Sequence, residues 1–218
     1  MVETVAVVGG GPAIRLPDLQ SYQLENTIWI GADRGCIHLL EEGIKPDYGL
    51  GDFDSVTKEE MEVIRRECNH IKEYPAEKDQ TDLEIALQKA IELKPKHIQL
   101  FGVTGGRLDH ELVNIQLLYQ LSEYKMNGII IDKYNKIELK RAGVHSLEYD
   151  EKFENISFIP QSTSIKNLTL KGFYYPLINK NLEYGTSLAT SNCLIGKKGT
   201  FSFSEGILLV VRSHDVQL

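Results

Sequence analysis

Asp52 and Asp54 stand one residue apart in the stretch Gly51-Asp52-Phe53-Asp54-Ser55, just after an apolar run that ends at Leu50. If the backbone stays extended through Asp54, the two carboxylates point to the same side. Like charges held together raise the cost of ionising each other, and a cation between them relieves it. Hard oxygen donors suit Mg²⁺, which takes one or two carboxylates and completes its shell with water and substrate phosphates. The same five residues also read as an Asx-rich turn capping a helix that begins near Lys58. Both readings stay open at the level of this segment.

Four other segments carry similar chemistry. Gly9-Gly10-Gly11-Pro12 follows the first apolar run and would let a backbone approach a phosphate. It is not a dinucleotide fingerprint, because Ile14 stands where the third glycine of G-x-G-x-x-G belongs. Asp33-Arg34-Gly35 follows the second run; an acid and a guanidinium there could hold a ribose and a phosphate, or form a surface ion pair. Glu77-Lys78-Asp79-Gln80-Thr81-Asp82 precedes a helical pattern, with Asp79 or Thr81 as N-cap and Asp82 complementing the helix dipole. Capping explains one or two of these acids but not three with a lysine among them. Gly102-Val103-Thr104-Gly105-Gly106-Arg107-Leu108-Asp109-His110 ends a strong strand and opens a helix, whose N-terminus favours anions. Asp109 there could cap the helix, orient a substrate or accept a proton. Carboxylates, cations and glycine loops at successive strand ends are the parts of metal-dependent phosphoryl transfer. No Ser-His-Asp or Cys-His set argues for acyl transfer.

The elements that must position these groups alternate in the first two-thirds of the chain. Strand patterns occur at 4–8, 27–30, 48–50, 71–74, 97–103 and 128–131, and helical patterns at 36–42, 58–67, 81–93 and 108–124. That alternation predicts a largely parallel sheet covered on both faces, with ligands beyond the carboxyl ends of the strands. From residue 136 onward only short alternating stretches remain, at 137–139, 156–159, 168–170, 201–203 and 207–211, punctuated by Gly143, Pro160, Gly185 and Gly199. The expected fold is an α/β N-terminal domain over 1–133 with a mostly parallel sheet, followed by an all-β sandwich over 134–218.

Composition narrows the function. The 218 residues contain 24 Lys plus Arg against 31 Asp plus Glu, a net charge of −7, which does not invite a nucleic-acid backbone. No apolar run approaches the roughly 18 residues that span a bilayer, and the start Met1-Val2-Glu3-Thr4 lacks the features of a signal peptide. Three dispersed cysteines, Cys36, Cys68 and Cys193, fit a reducing cytoplasm. The six histidines form no H-x-x-x-H pair, so a zinc site is not expected.

In this order, GGGP, GADRG, PDYGLGDFDS, EKDQTDLEIAL, FGVTGGRLDHELVNIQLL and TSNCLIG resemble the thiamine pyrophosphokinase family over essentially the whole chain. The resemblance implies transfer of a diphosphoryl group from ATP to the hydroxyl of thiamine, leaving AMP, with Mg²⁺ as cofactor. It implies an ATP-binding first domain, a thiamine-binding and dimerising second domain, and a homodimer with the active site at the dimer interface. By the same resemblance Asp52, Asp54 and Asp82 hold Mg²⁺. Gly10, Gly11, Asp33 and Arg34 belong to the nucleotide site, and Lys78 and Thr81 line the phosphate path. Arg107 offsets charge on the transferred group, Asp109 is a thiamine-side acid, and Ser191 and Asn192 contact thiamine. Some members carry a stacking aromatic two residues after the Asn; here Leu194 stands there. Alternatives are diphosphoryl transfer to another small alcohol, or a non-catalytic nucleotide- or thiamine-binding regulator.

Overall fold

Thr-Val-Ala-Val-Val is apolar enough to bury both faces of a strand, and β1 (Thr4–Val8) is buried along its whole length. It is central, paired in parallel with β2 (Thr27–Ala32) on one side and β5 (His97–Phe101) on the other. These elements belong to a computed structural model that describes residues 2–215 and divides the chain into two units, one ending at Lys133 and the next beginning at Tyr134.

In the first unit β2 leads to α1 (Gly35–Glu41), β3 (Tyr48–Gly51), α2 (Lys58–Glu67), β4 (His70–Glu73) and α3 (Asp82–Glu92). After β5 come α4 (Leu108–Glu123) and β6 (Asn127–Ile131). The strands lie in the order β6-β5-β1-β2-β3-β4, every pair parallel. The chain therefore winds one way from β1 to β4 and the other way from β5 to β6. Such a switch point is where an open parallel sheet places a crevice beyond its strand ends. β2 runs to Ala32, past the apolar run, because Gly31 and Ala32 continue the ladder against Gly49 and Leu50. α3 buries Leu83, Ala86, Leu87 and Ala90, one stripe at helical spacing, and packs on β2 and β3. Both α2 and α3 begin with a capping box, Thr57 with Glu60 and Thr81 with Glu84.

The second unit is antiparallel. β7 (Asn135–Glu148) pairs with β11 (Lys198–Ser213) over nearly the whole length of both. The opposite edge of β11 pairs with β9 (Ser164–Lys171) in its first half and β8 (Asn155–Pro160) in its second; β10 (Leu177–Glu183) borders β9. The short stretches expected at 201–203 and 207–211 are thus one strand. Ser204 to Gly206 bulge opposite Ala142, between the Phe203–Gly143 and Ile207–Arg141 pairs, with φ of +105° at Gly206, so the chain bends without leaving the ladder. Local alternation cannot distinguish such a bulge from a turn. β10 escaped the sequence reading because its centre is polar and Asn179 has φ of +49°. The core of this unit gathers around Phe158, whose ring lies 5.1 Å from Phe201 and 5.4 Å from Phe173.

Candidate active site

The switch between β1 and β5 holds a cleft of about 680 Å³ whose walls come from Gly9–Pro12, the end of β2, the loop before α3 and the Gly102–Gly106 turn. Backbone meets backbone here. The Gly11 N–H donates to the Gly102 carbonyl at 2.8 Å, and a Cβ on Gly11 would sit 2.6 Å from that oxygen. Only glycine allows the two loops to close in this way. Side chains tie both loops down. His38 of α1 is buried, and its Nε2 lies 3.0 Å from the Gly11 carbonyl. From α4, Glu111 accepts the Gly105 N–H at 2.9 Å and Asn114 donates to the Val103 carbonyl at 2.8 Å. Buried Thr104 donates to buried Asp132 at 2.7 Å.

The acids gather at the ends of β2 and β3. β3 stops at Gly51, Phe53 has φ of +56°, and the Asp54 N–H donates to the Asp52 carboxylate at 3.2 Å. The backbone is therefore not extended through Asp54; an Asx turn folds the pair together, and the turn and the acid cluster are one structure. The cap of α2 is Thr57, not either aspartate. Asp33 joins them: oxygens of Asp33, Asp52 and Asp54 lie within 4.8 Å of one another. Asp33 has φ of +52°, accepts from Ser55 Oγ at 2.5 Å, and leaves its other buried carboxylate oxygen without a hydrogen bond among the described residues. Burial raises its pKa, with Asp82 and Asp54 adding repulsion.

Lys78 supplies the local positive charge. Its Nζ lies 2.5 Å from Asp52 and 3.1 Å from Asp82, so it bridges the two acids. The hydrogen bond from Lys78 holds Asp52 below the usual carboxylate range and raises Lys78 in turn. The three acids expected around a metal were Asp52, Asp54 and Asp82; the structure clusters Asp33 with the first two and sets Asp82 against Lys78. Arg34 is paired with Glu60 at 2.9 Å and donates to the Ser55 carbonyl at 3.0 Å. Thr81 is the N-cap of α3, accepting the Glu84 N–H at 3.2 Å, and it lines the cleft, as do Gly10, Gly11, Asp33, Lys78, Asp82 and Arg107.

Arg107 is the N-cap residue of α4 without a capping side chain, and Asp109 does not cap. The two instead pair at 2.6 Å and 3.1 Å, both exposed. That guanidinium holds Asp109 down at a pKa of about 2.

In the second unit Ser191 has φ of +54° and its N–H donates to Ser157 Oγ at 3.0 Å. Asn192 is buried, and its amide is engaged: Oδ1 accepts from the Tyr175 and Cys193 N–H groups, and Nδ2 donates to the Tyr175 carbonyl at 2.8 Å. It pins the loop that presents Tyr174 and Tyr175, two exposed rings 4.9 Å apart. Leu194 packs against the core.

Sequence reasoning missed the residues that hold the loops: His38, Ser55, Glu60, Glu111, Asn114 and the Thr104–Asp132 pair. Ser55, Glu111 and Asn114 lay inside quoted motifs and carried a signal; His38 and Glu60 act on segments 27 and 26 residues away.

Comparison with known proteins matches residues 19–131 to the thiamin pyrophosphokinase catalytic domain and residues 144–208 to the thiamin pyrophosphokinase vitamin B1 binding domain. The chain is 48% identical to the thiamine pyrophosphokinase of Bacillus subtilis (strain 168) over 98% of its own length and 100% of that protein's. It superposes on the crystal structure of the Bacillus subtilis thiamine pyrophosphokinase with a TM-score of 0.94, covering 98% of this chain and 100% of that one. The Geobacillus thermodenitrificans thiamin pyrophosphokinase structure is 42% identical with a TM-score of 0.90, covering 98% and 99%.

Proposed function

The chain belongs to the thiamine pyrophosphokinase family, and from that premise we propose how its own residues transfer the diphosphoryl group of ATP to the hydroxyl of thiamine, giving thiamine diphosphate and AMP. The observation that carries the reading is the acid cluster Asp33, Asp52 and Asp54 at the rim of a glycine-walled cleft, with Lys78 beside it.

The residues present fit a hard divalent cation: three carboxylates converge, and among the described residues Asp33 keeps a buried oxygen without a hydrogen bond. Asp52 and Asp54 would hold Mg²⁺, with Asp33 beside them and Asp82 available once Lys78 turns to phosphate. When bound, Mg²⁺ supplies charge neutralisation on the phosphate oxygens. Gly10 and Gly11 let the backbone approach the nucleotide phosphates, and the His38 contact to Gly11 keeps that loop in place. The Lys78 ammonium, now shared between Asp52 and Asp82, lines the cleft and would meet a phosphate entering it.

In the transfer, the thiamine hydroxyl oxygen bonds to the β-phosphorus, the bond from that phosphorus to the α,β-bridging oxygen breaks, and AMP leaves with the electron pair. Arg107 would neutralise charge on the transferred group. Asp109 is paired with Arg107, whose guanidinium holds its carboxyl below the usual range. Its role is to orient Arg107 and thiamine, and the hydroxyl proton goes to water. Positioning and charge neutralisation supply most of the catalysis. In the second unit, read as a β-sandwich, Ser191 and the loop pinned by Asn192 face thiamine. Arg34, paired with Glu60, shapes the Ser55 turn. We also propose a homodimer in the cytoplasm; among the described residues no helix is long and apolar enough to cross a membrane.

Asp54→Asn removes one charge from an exposed position and should abolish AMP formation from ATP and thiamine without lowering the thermal melt. Near-normal turnover by that variant at ordinary Mg²⁺ concentrations would refute the metal assignment.

A further inference from the structure

Glu60 stands in the first turn of α2, a helix that the transfer described above does not use. Its carboxylate does two things at once. Oε2 accepts the Thr57 N–H at 2.8 Å, which is half of the capping box. The same carboxylate receives a fork from Arg34: Nη2 donates to Oε1 at 2.9 Å and Nη1 to Oε2 at 3.3 Å. The cap needs only one oxygen, and a glutamine could supply it. The fork needs both oxygens and the charge, and its planarity fixes the guanidinium in one orientation.

Arg34 passes that constraint on. Its Nη1 donates to the Ser55 carbonyl at 3.0 Å, while Ser55 Oγ donates to Asp33 at 2.5 Å. Two adjacent residues at the end of β2 thus hold Ser55 from both sides. Ser55 closes the turn that carries Asp52 and Asp54. The sheet fixes the entry of this turn, because Gly51 still pairs with Glu73 and the Asp33 N–H donates to the Leu50 carbonyl at 2.9 Å. Phe53, buried with Cys36, Ile37 and Ile64, fixes its middle. Its exit is fixed through Ser55.

The exit matters because of charge. Oxygens of Asp33, Asp52 and Asp54 lie within 4.8 Å of one another and repel. Such a cluster keeps its spacing only while the backbone carrying it cannot open. Groups that orient metal ligands are commonly worth about ten- to a hundredfold in metal affinity.

We propose that Glu60 is a positioning residue for the metal site. It grips Arg34, Arg34 and Asp33 hold Ser55, and the three carboxylates keep the spacing that a divalent cation needs. This rests on the metal-dependent reading above.

Two substitutions separate the cap from the fork. Glu60→Gln keeps an oxygen for the Thr57 N–H and loses the charge that holds Arg34. Thr57→Ala removes the hydroxyl that accepts the Glu60 N–H and leaves the carboxylate on Arg34. Mn²⁺ binding without nucleotide is measured by titration calorimetry, beside thermal melts in metal-free buffer. Glu60→Gln should weaken Mn²⁺ binding about tenfold with Tm close to wild type. Thr57→Ala should lower Tm and bind Mn²⁺ within about twofold of wild type. In AMP formation, Glu60→Gln should raise the half-saturating Mg²⁺ concentration by a similar factor, and saturating Mg²⁺ should restore kcat to within about twofold.

Mn²⁺ binding within about twofold of wild type in Glu60→Gln overturns the proposal. An equal loss in Thr57→Ala also overturns it, by tracing the effect to helix stability. A lower KM for ATP in Glu60→Gln with unchanged Mn²⁺ affinity overturns it too, because Glu60 would then restrain Arg34 from the nucleotide. A wild type that binds no Mn²⁺ refutes the metal assignment and this proposal together. A wild type that binds Mn²⁺ but forms no AMP from ATP and thiamine refutes the reaction alone.

Discussion

At the scale of single residues, the site places charge where folding alone would not. Asp33 is part-buried in a left-handed conformation, with one oxygen lacking a hydrogen bond among the described residues and two other acids repelling it. Burial disfavours its charged form, so its folded pKa lies above the unfolded value of 3.8. The folded state therefore bears a penalty at neutral pH that disappears when Asp33 is protonated. Asp33→Asn keeps an acceptor for Ser55 Oγ and removes the charge. Its Tm should exceed the wild-type Tm at pH 7, and the difference should shrink to nothing as pH falls below about 4. Activity should fall in the same variant, a trade between stability and function. Thermal melts across pH check this, and a lower Tm at pH 7 would contradict it. Cys36 contributes no chemistry: burial pushes its thiol well up from the ordinary range.

At the scale of elements, each functional loop is tied to a helix start or to a side chain from the next helix. The loop before α3 shows how closely stability and site are joined. Thr81 caps α3 through the Glu84 N–H, and Asp82 in the first turn faces Lys78. Removing the cap frees a backbone donor and loosens the turn that aims Asp82. Thr81→Ala should cost about 1 kcal/mol in urea denaturation, whereas Thr81→Ser should lie close to wild type. A serine variant as unstable as the alanine variant would show that the methyl, not the cap, matters. Gly35 makes a different kind of tie: a Cβ there would overlap the Val8 carbonyl, so α1 can begin directly against the end of β1. That close start brings His38, one turn along, within reach of Gly11.

At the scale of the whole molecule, the chain divides after Lys133 into a parallel unit and an antiparallel one, each with its own core. The second unit exposes Tyr174, Tyr175, Ile178, Leu188 and Ile195. If the homodimer proposal holds, light scattering should give a mass twice the 24.6 kDa of one chain. A monomer at micromolar concentration would reject it. Much of the first unit was legible in the sequence. α2 spans the residues its pattern predicted, and β1 and β3 begin where their apolar runs begin. Hydrophobic period and glycine position are local properties, and so is the order in which acids follow strands. The partners of those acids are not local. Asp33 meets Ser55 across 22 residues and Lys78 meets Asp52 across 26, because parallel strands bring distant loops to one rim. The same limit hid the single bulged β11 and the inward engagement of Asn192. The sequence by itself determined which groups could do the chemistry and at which strand ends they stand. Only the tertiary structure decided which carboxylates share a site and which cation answers them, since that depends on distances set by the packed sheet.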